Sequence, residues 1–265
     1  MSSAKRSVAI IDADQVLYSK ATMAEVAVGE DEWFQLMSPE QAYTQVIHVI
    51  EEMTETVRCE TALVCLSDSS SNCFRKNLYP PYKENRKGKR RPALLEPLRQ
   101  MVLSSEEWYG KLAIKNLEAD DVCGITTGIM KDQGRRAVVV SYDKDLMTVP
   151  GKVWDPKPTK GGRQREIVDV TEEDADRAFF KQTLTGDTAD NYPGCPGIGP
   201  VKADAALDNC YSQLDMWEAV VECFESKGLT EEDALVQARL SRILRKSDWD
   251  AKKKEVLLWT PPTKQ

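Results

Sequence analysis

The chain has one histidine, His48, among 265 residues. That scarcity argues against a zinc site and against any nucleophile relay that runs through an imidazole. Seven cysteines (Cys59, Cys65, Cys73, Cys123, Cys195, Cys210 and Cys223) form no Cys-x-x-Cys pair, and their number is odd. They read as reduced packing residues, not as a disulfide framework or a metal knuckle. No apolar run approaches membrane-spanning length and the N-terminus has no secretory hydrophobic region, so the expected location is the cytoplasm, with no membrane partner. Basic residues are also in deficit, 36 against 43 acids, for a net charge of -7. Taken alone, that balance speaks against a nucleic-acid partner.

The distribution says otherwise. Between Arg75 and Arg91 the chain carries Arg75, Lys76, Lys83, Arg86, Lys87, Lys89, Arg90 and Arg91 against a single acid, Glu84. Salt screens charges beyond roughly 8 to 10 Å, so a concentrated basic segment binds phosphates locally even on an acidic protein. The acids are clustered too. Glu118, Asp120 and Asp121 open an apparent helix, and Asp143 and Asp145 follow the apolar run Ala137 to Ser141. Any one of these acids is most simply a solvated charge or a helix-start residue. Together they resist burial unless a cation sits among them, and an all-oxygen set suits magnesium or manganese better than zinc.

The chain in order strengthens that reading. Val8 to Ile11 reads as a buried parallel strand and ends on Asp12, with Asp14 two residues later. Residues 20 to 36 show no clean period. Ser38-Pro39 then predicts a helix start, continued by a stripe of Ala42, Val46, Val49, Ile50, Met53 and Val57. His48 lies off the stripe and reads as a surface side chain. Thr61 to Leu66 predicts a second strand, with Asp68 just beyond; Ala93 to Leu103 and Glu118 to Met130 predict helices, and Ala137 to Ser141 a third strand. Strands alternating with helices imply an α/β fold with a mostly parallel central sheet. Three strands thus deliver aspartates at their carboxyl ends, the edge where open α/β sheets bind ligands.

Past residue 150 the composition shifts. Gly151 to Arg165 predicts a turn-rich β excursion or loop, and Thr171-Glu-Glu-Asp starts a helix that runs to about Leu184. Asp187 and Asp190 then precede Gly197-Ile198-Gly199-Pro-Val-Lys202, a tight hairpin with uncovered amides that feeds a helix and suits a phosphate. The rest is expected to be helical, with a second cap at Thr230-Glu-Glu-Asp and a solvated basic face from Arg239 to Lys246. The expected organisation is an α/β core over residues 1–150, with the basic arch near 75–91, and a mainly helical part over 151–265. Whether the two pack as one domain stays open.

Ile-Ile-Asp12-Ala-Asp, Leu-Ser-Asp68, Tyr82-Lys83-Glu-Asn-Arg86, Glu118-Ala-Asp120-Asp121, Ser-Tyr-Asp143-Lys-Asp145-Leu and Gly-Asp187-Thr-Ala-Asp190-Asn, followed by Gly197-Ile-Gly199, occur in that order. The set resembles the 5′ nuclease superfamily of flap endonucleases and polymerase 5′-nuclease domains, in particular the gene-six exonucleases of T-seven-like phages. For a viral chain the cytoplasm would be the host's. The resemblance implies helices on both faces of the sheet, as in the PIN-like 5′ nucleases, and a helix-hairpin-helix motif near 175–208. It implies two ions, Mg2+ or Mn2+: Asp12, Asp68, Glu118, Asp120 and Asp143 around one, and Asp121, Asp145, Asp187 and Asp190 at or near the second. Tyr82, Lys83 and Arg86 would meet the scissile phosphate or its neighbouring base, while Arg75, Lys76, Lys87 and the Gly197, Ile198, Gly199 and Lys202 hairpin would hold DNA, with room for a monovalent cation at the hairpin. The implied activity is 5′-to-3′ exonucleolytic hydrolysis of duplex DNA at ends, nicks or flaps, extending to RNA in RNA-DNA hybrids and to work beside replication proteins. A flap endonuclease and a catalytically silent junction-binding module are the alternatives. The short stretch between Arg86 and Glu118, broken by Pro92, favours trimming of ends over a long threading arch.

Overall fold

The computed structural model describes residues 6–68, 72–108 and 110–263. Strand β1 (Val8–Asp12) is buried along its whole length, as its unbroken Val-Ala-Ile-Ile run requires. Helix α1 (Asp14–Met23) follows, and then a short ribbon of β2 (Glu25–Ala27) and β3 (Trp33–Gln35). Helix α2 (Pro39–Thr56) begins at a capping box in which the Gln41 N–H donates to Ser38 Oγ and the Ser38 N–H to the Gln41 side chain. Strand β4 (Thr61–Leu66), helices α3 (Phe74–Leu78) and α4 (Leu95–Ser104), strand β5 (Gly110–Ala113), helix α5 (Ala119–Asp132) and strands β6 (Ala137–Val140), β7 (Gly151–Trp154) and β8 (Val168–Val170) complete the α/β part.

Among the described residues the main sheet is six-stranded, ordered β5-β4-β1-β6-β7-β8. All its pairings are parallel except the last, β7 with β8. From β1 the chain builds outward through β4 to β5 and then returns to place β6 on the other side of β1. That reversal creates the crevice outside the carboxyl ends where open α/β sheets bind ligands. Helices α1, α2 and α4 pack on one face through Val16, Leu17, Ala42, Val46, Ile50, Leu98 and Val102; α5 covers the other through Val122, Cys123, Ile125 and Met130. The sheet therefore continues past residue 150 through β7 and β8.

Helices α6 (Glu172–Thr185), α7 (Pro200–Leu207), α8 (Gln213–Glu225) and α9 (Glu231–Ser241) form a third cluster around Phe179, Phe180, Trp217, Val220 and Phe224. Thr171 and Thr230 cap α6 and α9, accepting the N–H groups of Asp174 and Asp233 at 3.0 and 3.2 Å. Trp259 crosses back onto this cluster, with its ring 5.2 Å from Trp217 and 5.3 Å from Phe179. His48 is exposed on α2. The Arg239 to Lys246 stretch is not the solvated face that its charge suggests. Arg242 is buried against Asp248 at 2.8 Å, and Arg245 pairs with buried Asp176 at 2.7 Å. Their partners come from a following turn and from α6, so no local pattern announced them. No helix among the described residues is long and apolar enough to cross a membrane.

Candidate active site

The aspartates expected at the strand ends converge. Asp12 closes β1 and is 6% exposed. It accepts a hydrogen bond of 2.7 Å from Ser141 Oγ, just past β6, and the Asp143 N–H donates to the same oxygen at 3.0 Å. Burial, then the charges of Asp14 and Asp143, push the Asp12 carboxyl up to about 7. Asp68 lies beyond β4, where its N–H donates to the Leu117 carbonyl at 2.9 Å and its carboxylate accepts the Asn116 N–H at 2.7 Å. Those bonds place it beside the start of α5. Asp143 accepts the Asp145 N–H at 2.9 Å. Asp145 is raised to about 7 by burial and by Asp143, and Gln182 of α6 donates to it at 2.5 Å.

At the start of α5, oxygens of Glu118, Asp120 and Asp121 lie within 4.8 Å of one another. Their fates differ. Burial, then the charges of Asp121 and Glu118, hold Asp120 well above the usual carboxylate range. Glu118 behaves oppositely: burial disfavours its charge, but Lys83 and Arg75 outweigh that and hold it at about 2. Asp121 is fully buried and fully engaged. Arg75 meets both of its oxygens at 2.7 and 2.8 Å, and the Leu244 and Glu118 N–H groups donate at 3.0 and 3.3 Å. Its carboxylate anchors the chain after α9 to α5 and has no open oxygen for the cleft.

The segment around Lys83 spans the acids. Lys83 sits in the left-handed region at φ 57°, touches Glu118, and lies 3.2 Å from Asp190. Burial opposes its charge, yet Glu118 and Asp190 prevail and keep it protonated. Tyr82 Oη is 2.9 Å from both Glu118 and Asp190, and burial and the Glu118 charge keep its phenol protonated. Arg86 pairs with Asp190 at 2.5 Å. Asp187 accepts the Ala189 N–H at 2.6 Å and adds its charge to that felt by Asp145. The acids thus run as one strip from Asp12 and Asp143 through Asp145 and Asp187 to Asp190, Glu118 and Asp120.

Not every expected DNA contact is placed to meet DNA. Arg75 is 2% exposed and spends its donors on Asp121, Glu118 and the Leu240 and Arg242 carbonyls. It holds the site together from beneath. Lys76 is half-buried, while Lys87 is exposed on the loop after Arg86. Gly197 adopts φ 75° and Gly199 caps α7; Lys202 is exposed and folds back onto the Gly197 carbonyl at 3.0 Å, and Ile198 packs on the helical cluster. Sequence reasoning passed over Ser141, Gln182 and Asn85, whose amide donates to the Thr188 and Ala189 carbonyls. Ser141 and Asn85 stand inside the Ser-Tyr-Asp143 and Tyr82-Lys83-Glu-Asn-Arg86 motifs, while nothing near Gln182 offered a signal.

These features agree with what the chain is similar to. Residues 7–174 match the model of the 5′-3′ exonuclease, N-terminal resolvase-like domain. The exonuclease of Escherichia phage T7 is 28% identical over 97% of this chain and 94% of its own length, and the exodeoxyribonuclease of Enterobacteria phage T3 is 31% identical over 76% and 74%. A bacteriophage T5 flap endonuclease, solved as a pseudo-enzyme-product complex with DNA and metal ions, shares the fold at a TM-score of 0.65 and 15% identity, over 90% of this chain and 89% of that one. With a family match that runs through the acid strip from Asp12 to Asp145, and relatives that align along most of its length, the chain belongs to the 5′-3′ exonuclease family and is a nuclease that acts on DNA.

Proposed function

We propose that the chain is a divalent-metal-dependent exonuclease that hydrolyses phosphodiesters from the 5′ ends of duplex DNA. The observation that carries this reading is the acid strip itself: Asp12, Asp120 and Asp145 are all pushed toward neutrality by burial and by the carboxylates beside each of them. A hard cation relieves that repulsion, and an all-carboxylate donor set fits magnesium or manganese. Asp12, Asp68, Glu118, Asp120 and Asp143 would hold one ion, and Asp145, Asp187 and Asp190 a second or its waters. Asp121 supports them from behind through Arg75.

Two such ions, when bound, supply an activated water and charge stabilisation at the leaving oxygen. The chain's own groups do the rest. Lys83 and Arg86, charged and poised on Glu118 and Asp190, neutralise the phosphate that enters between them, and Tyr82 orients it. No covalent protein intermediate is needed. The exposed Gly197 to Lys202 turn grips a duplex phosphate, with Lys87 as a further backbone contact, and the same turn offers carbonyls to a monovalent cation. The nuclease core, expected over 1–150 with its arch at 75–91, is read as extending through β8, and the helices that follow as the part that grips duplex DNA around 175–208. Because the contacts are to phosphate, the RNA strand of a hybrid is a second substrate, which fits a role beside replication proteins.

A structure-specific flap endonuclease is the second reading, favoured by the likeness to the T5 fold. Against it, α4 is docked on the core through Leu98 and Val102, which leaves only a short loop to serve as an arch. The two are separated with 3′-labelled blunt, nicked and 5′-flapped duplexes, incubated with magnesium or with chelator. A metal-dependent descending ladder on blunt and nicked DNA is expected. A single cut at the flap junction with blunt DNA intact would make the flap reading primary, and binding without any cut would leave a silent binding module.

A further inference from the structure

The loop between Lys83 and Ala93 is fixed at both ends. At the catalytic end the Lys83 N–H donates to the Asp190 carbonyl at 2.8 Å, and Asn85 and Arg86 reach Thr188 and Asp190 at 3.0 and 2.5 Å. At the far end Arg90 grips Glu25 of β2 with both terminal nitrogens, one at 2.8 Å, and its guanidinium lies 3.9 Å from the ring centre of Trp33 on β3. The Ala93 N–H donates to the same carboxylate at 3.2 Å. Glu25 has a side chain only 5% exposed, which is unusual for a glutamate on a ribbon that is otherwise largely in solvent. Between the two anchors only Lys87, Gly88 and Lys89 are exposed and free of such ties, and Gly88 turns through φ 78°.

The catalytic chemistry uses neither Glu25 nor Trp33, and β2 and β3 make no part of the central sheet. A fork-to-carboxylate pair stacked on an indole is nevertheless a directional contact, stronger than an ordinary surface ion pair. We propose that Glu25, Trp33 and Arg90 form a latch that closes the basic loop into a fixed bridge beside the acid strip, and that this latch determines substrate specificity. With the latch shut, a flush or recessed 5′ end enters from the open side, whereas an unpaired 5′ strand has to pass a bridge that cannot swing away. The ribbon is thus a specificity element whose target is the unpaired strand of a branched substrate. This deepens, and rests on, the nuclease reading above.

The test uses Glu25→Gln and Trp33→Leu, two separate ways of opening the latch without touching the acids, Lys83 or Arg86. Limited trypsin digestion reads the loop directly, at Lys87 and Lys89, without any need for catalysis. Cleavage there is expected about tenfold faster in both variants than in the wild type, the loss of one directional charged contact. In parallel, the ratio of flap to blunt-duplex hydrolysis is expected to rise at least about threefold, with blunt hydrolysis retained. Unchanged digestion in both variants overturns the latch. Faster digestion with an unchanged ratio overturns its role in specificity and leaves the nuclease reading standing. If the wild type cuts neither substrate, that reading fails, while digestion still reports on the latch.

Discussion

Asp12 and Asp145 show how one type of side chain acquires a task from its surroundings. Both are held near 7 by burial and by neighbouring carboxylates, while Glu118, a few ångströms from Lys83 and Arg75, stays ionised. In chelator, Asp12 and Asp145, like Asp120, therefore keep protons in the folded chain that the unfolded chain releases near pH 4. Their stabilising contribution is full below that pH and is lost as pH rises through about 7, a fall of up to a few kcal/mol. Thermal melts from pH 5 to 8 in chelator should show it, and added magnesium should flatten the slope. Asp120→Ala and Asp143→Ala are each expected to lower the hydrolysis rate by at least about a thousandfold while DNA binding persists in a mobility assay; near wild-type cutting by either would displace it from the metal set. Arg75→Met leaves buried Asp121 unpaired and should cost roughly 3 to 5 kcal/mol in a denaturant titration. A loss under about 1 kcal/mol would show that the pair is not structural.

At the scale of elements, the sequence exposed those that are buried on both faces. β1, β4 and β6 are continuous runs of Val, Ile, Leu, Ala and Cys that end against aspartates, so strand, direction and site edge were all legible together. The Ser38, Thr171 and Thr230 helix starts were legible because a cap is a local bargain between neighbours. β2, β3 and β5 were not. The ribbon mixes acids with Trp33 and Phe34, exposed on both sides, so no period of two survives; β5 reads Gly-Lys-Leu-Ala on an edge. Arg75 was misjudged because arginine defaults to the surface and its partner Asp121 lies far along the chain. Gly186, which opens the Gly-Asp187-Thr-Ala-Asp190-Asn motif, and Gly194 were given no backbone role, although they fix the turn that carries Asp187 and Asp190. At Gly186, φ is 64° and a Cβ would lie 2.4 to 2.5 Å from the backbone of Tyr192, Pro193 and Gly194. No side chain can yield there, so Gly186→Ala is expected to destabilise by about 3 kcal/mol or more and to depress activity through a displaced Asp190. A soluble variant with wild-type melting and activity would contradict the close approach.

Over the whole molecule, the charge of -7 and a nucleic-acid substrate are reconciled by position. Many of the acids are committed: nine line the strip or brace it, and Asp176 and Asp248 are spent inside on Arg245 and Arg242. The cations left exposed around the site are few, chiefly Arg86, Lys87, Lys89, Arg91 and Lys202. Such a surface binds DNA through a small number of phosphates against a background that repels it. If about five phosphates are engaged, affinity should fall by roughly two to three powers of ten between 50 and 200 mM salt, with little dependence on base sequence. Fluorescence anisotropy of a labelled duplex in calcium or chelator, titrated across salt, measures both properties. A slope near zero would mean that the loop and the Gly197 turn do not carry the phosphates. A slope twice as steep would mean that further exposed basic residues, or a second copy of the chain, also hold phosphates. A strong preference for one sequence would place side chains against base edges, where only backbone contacts are expected.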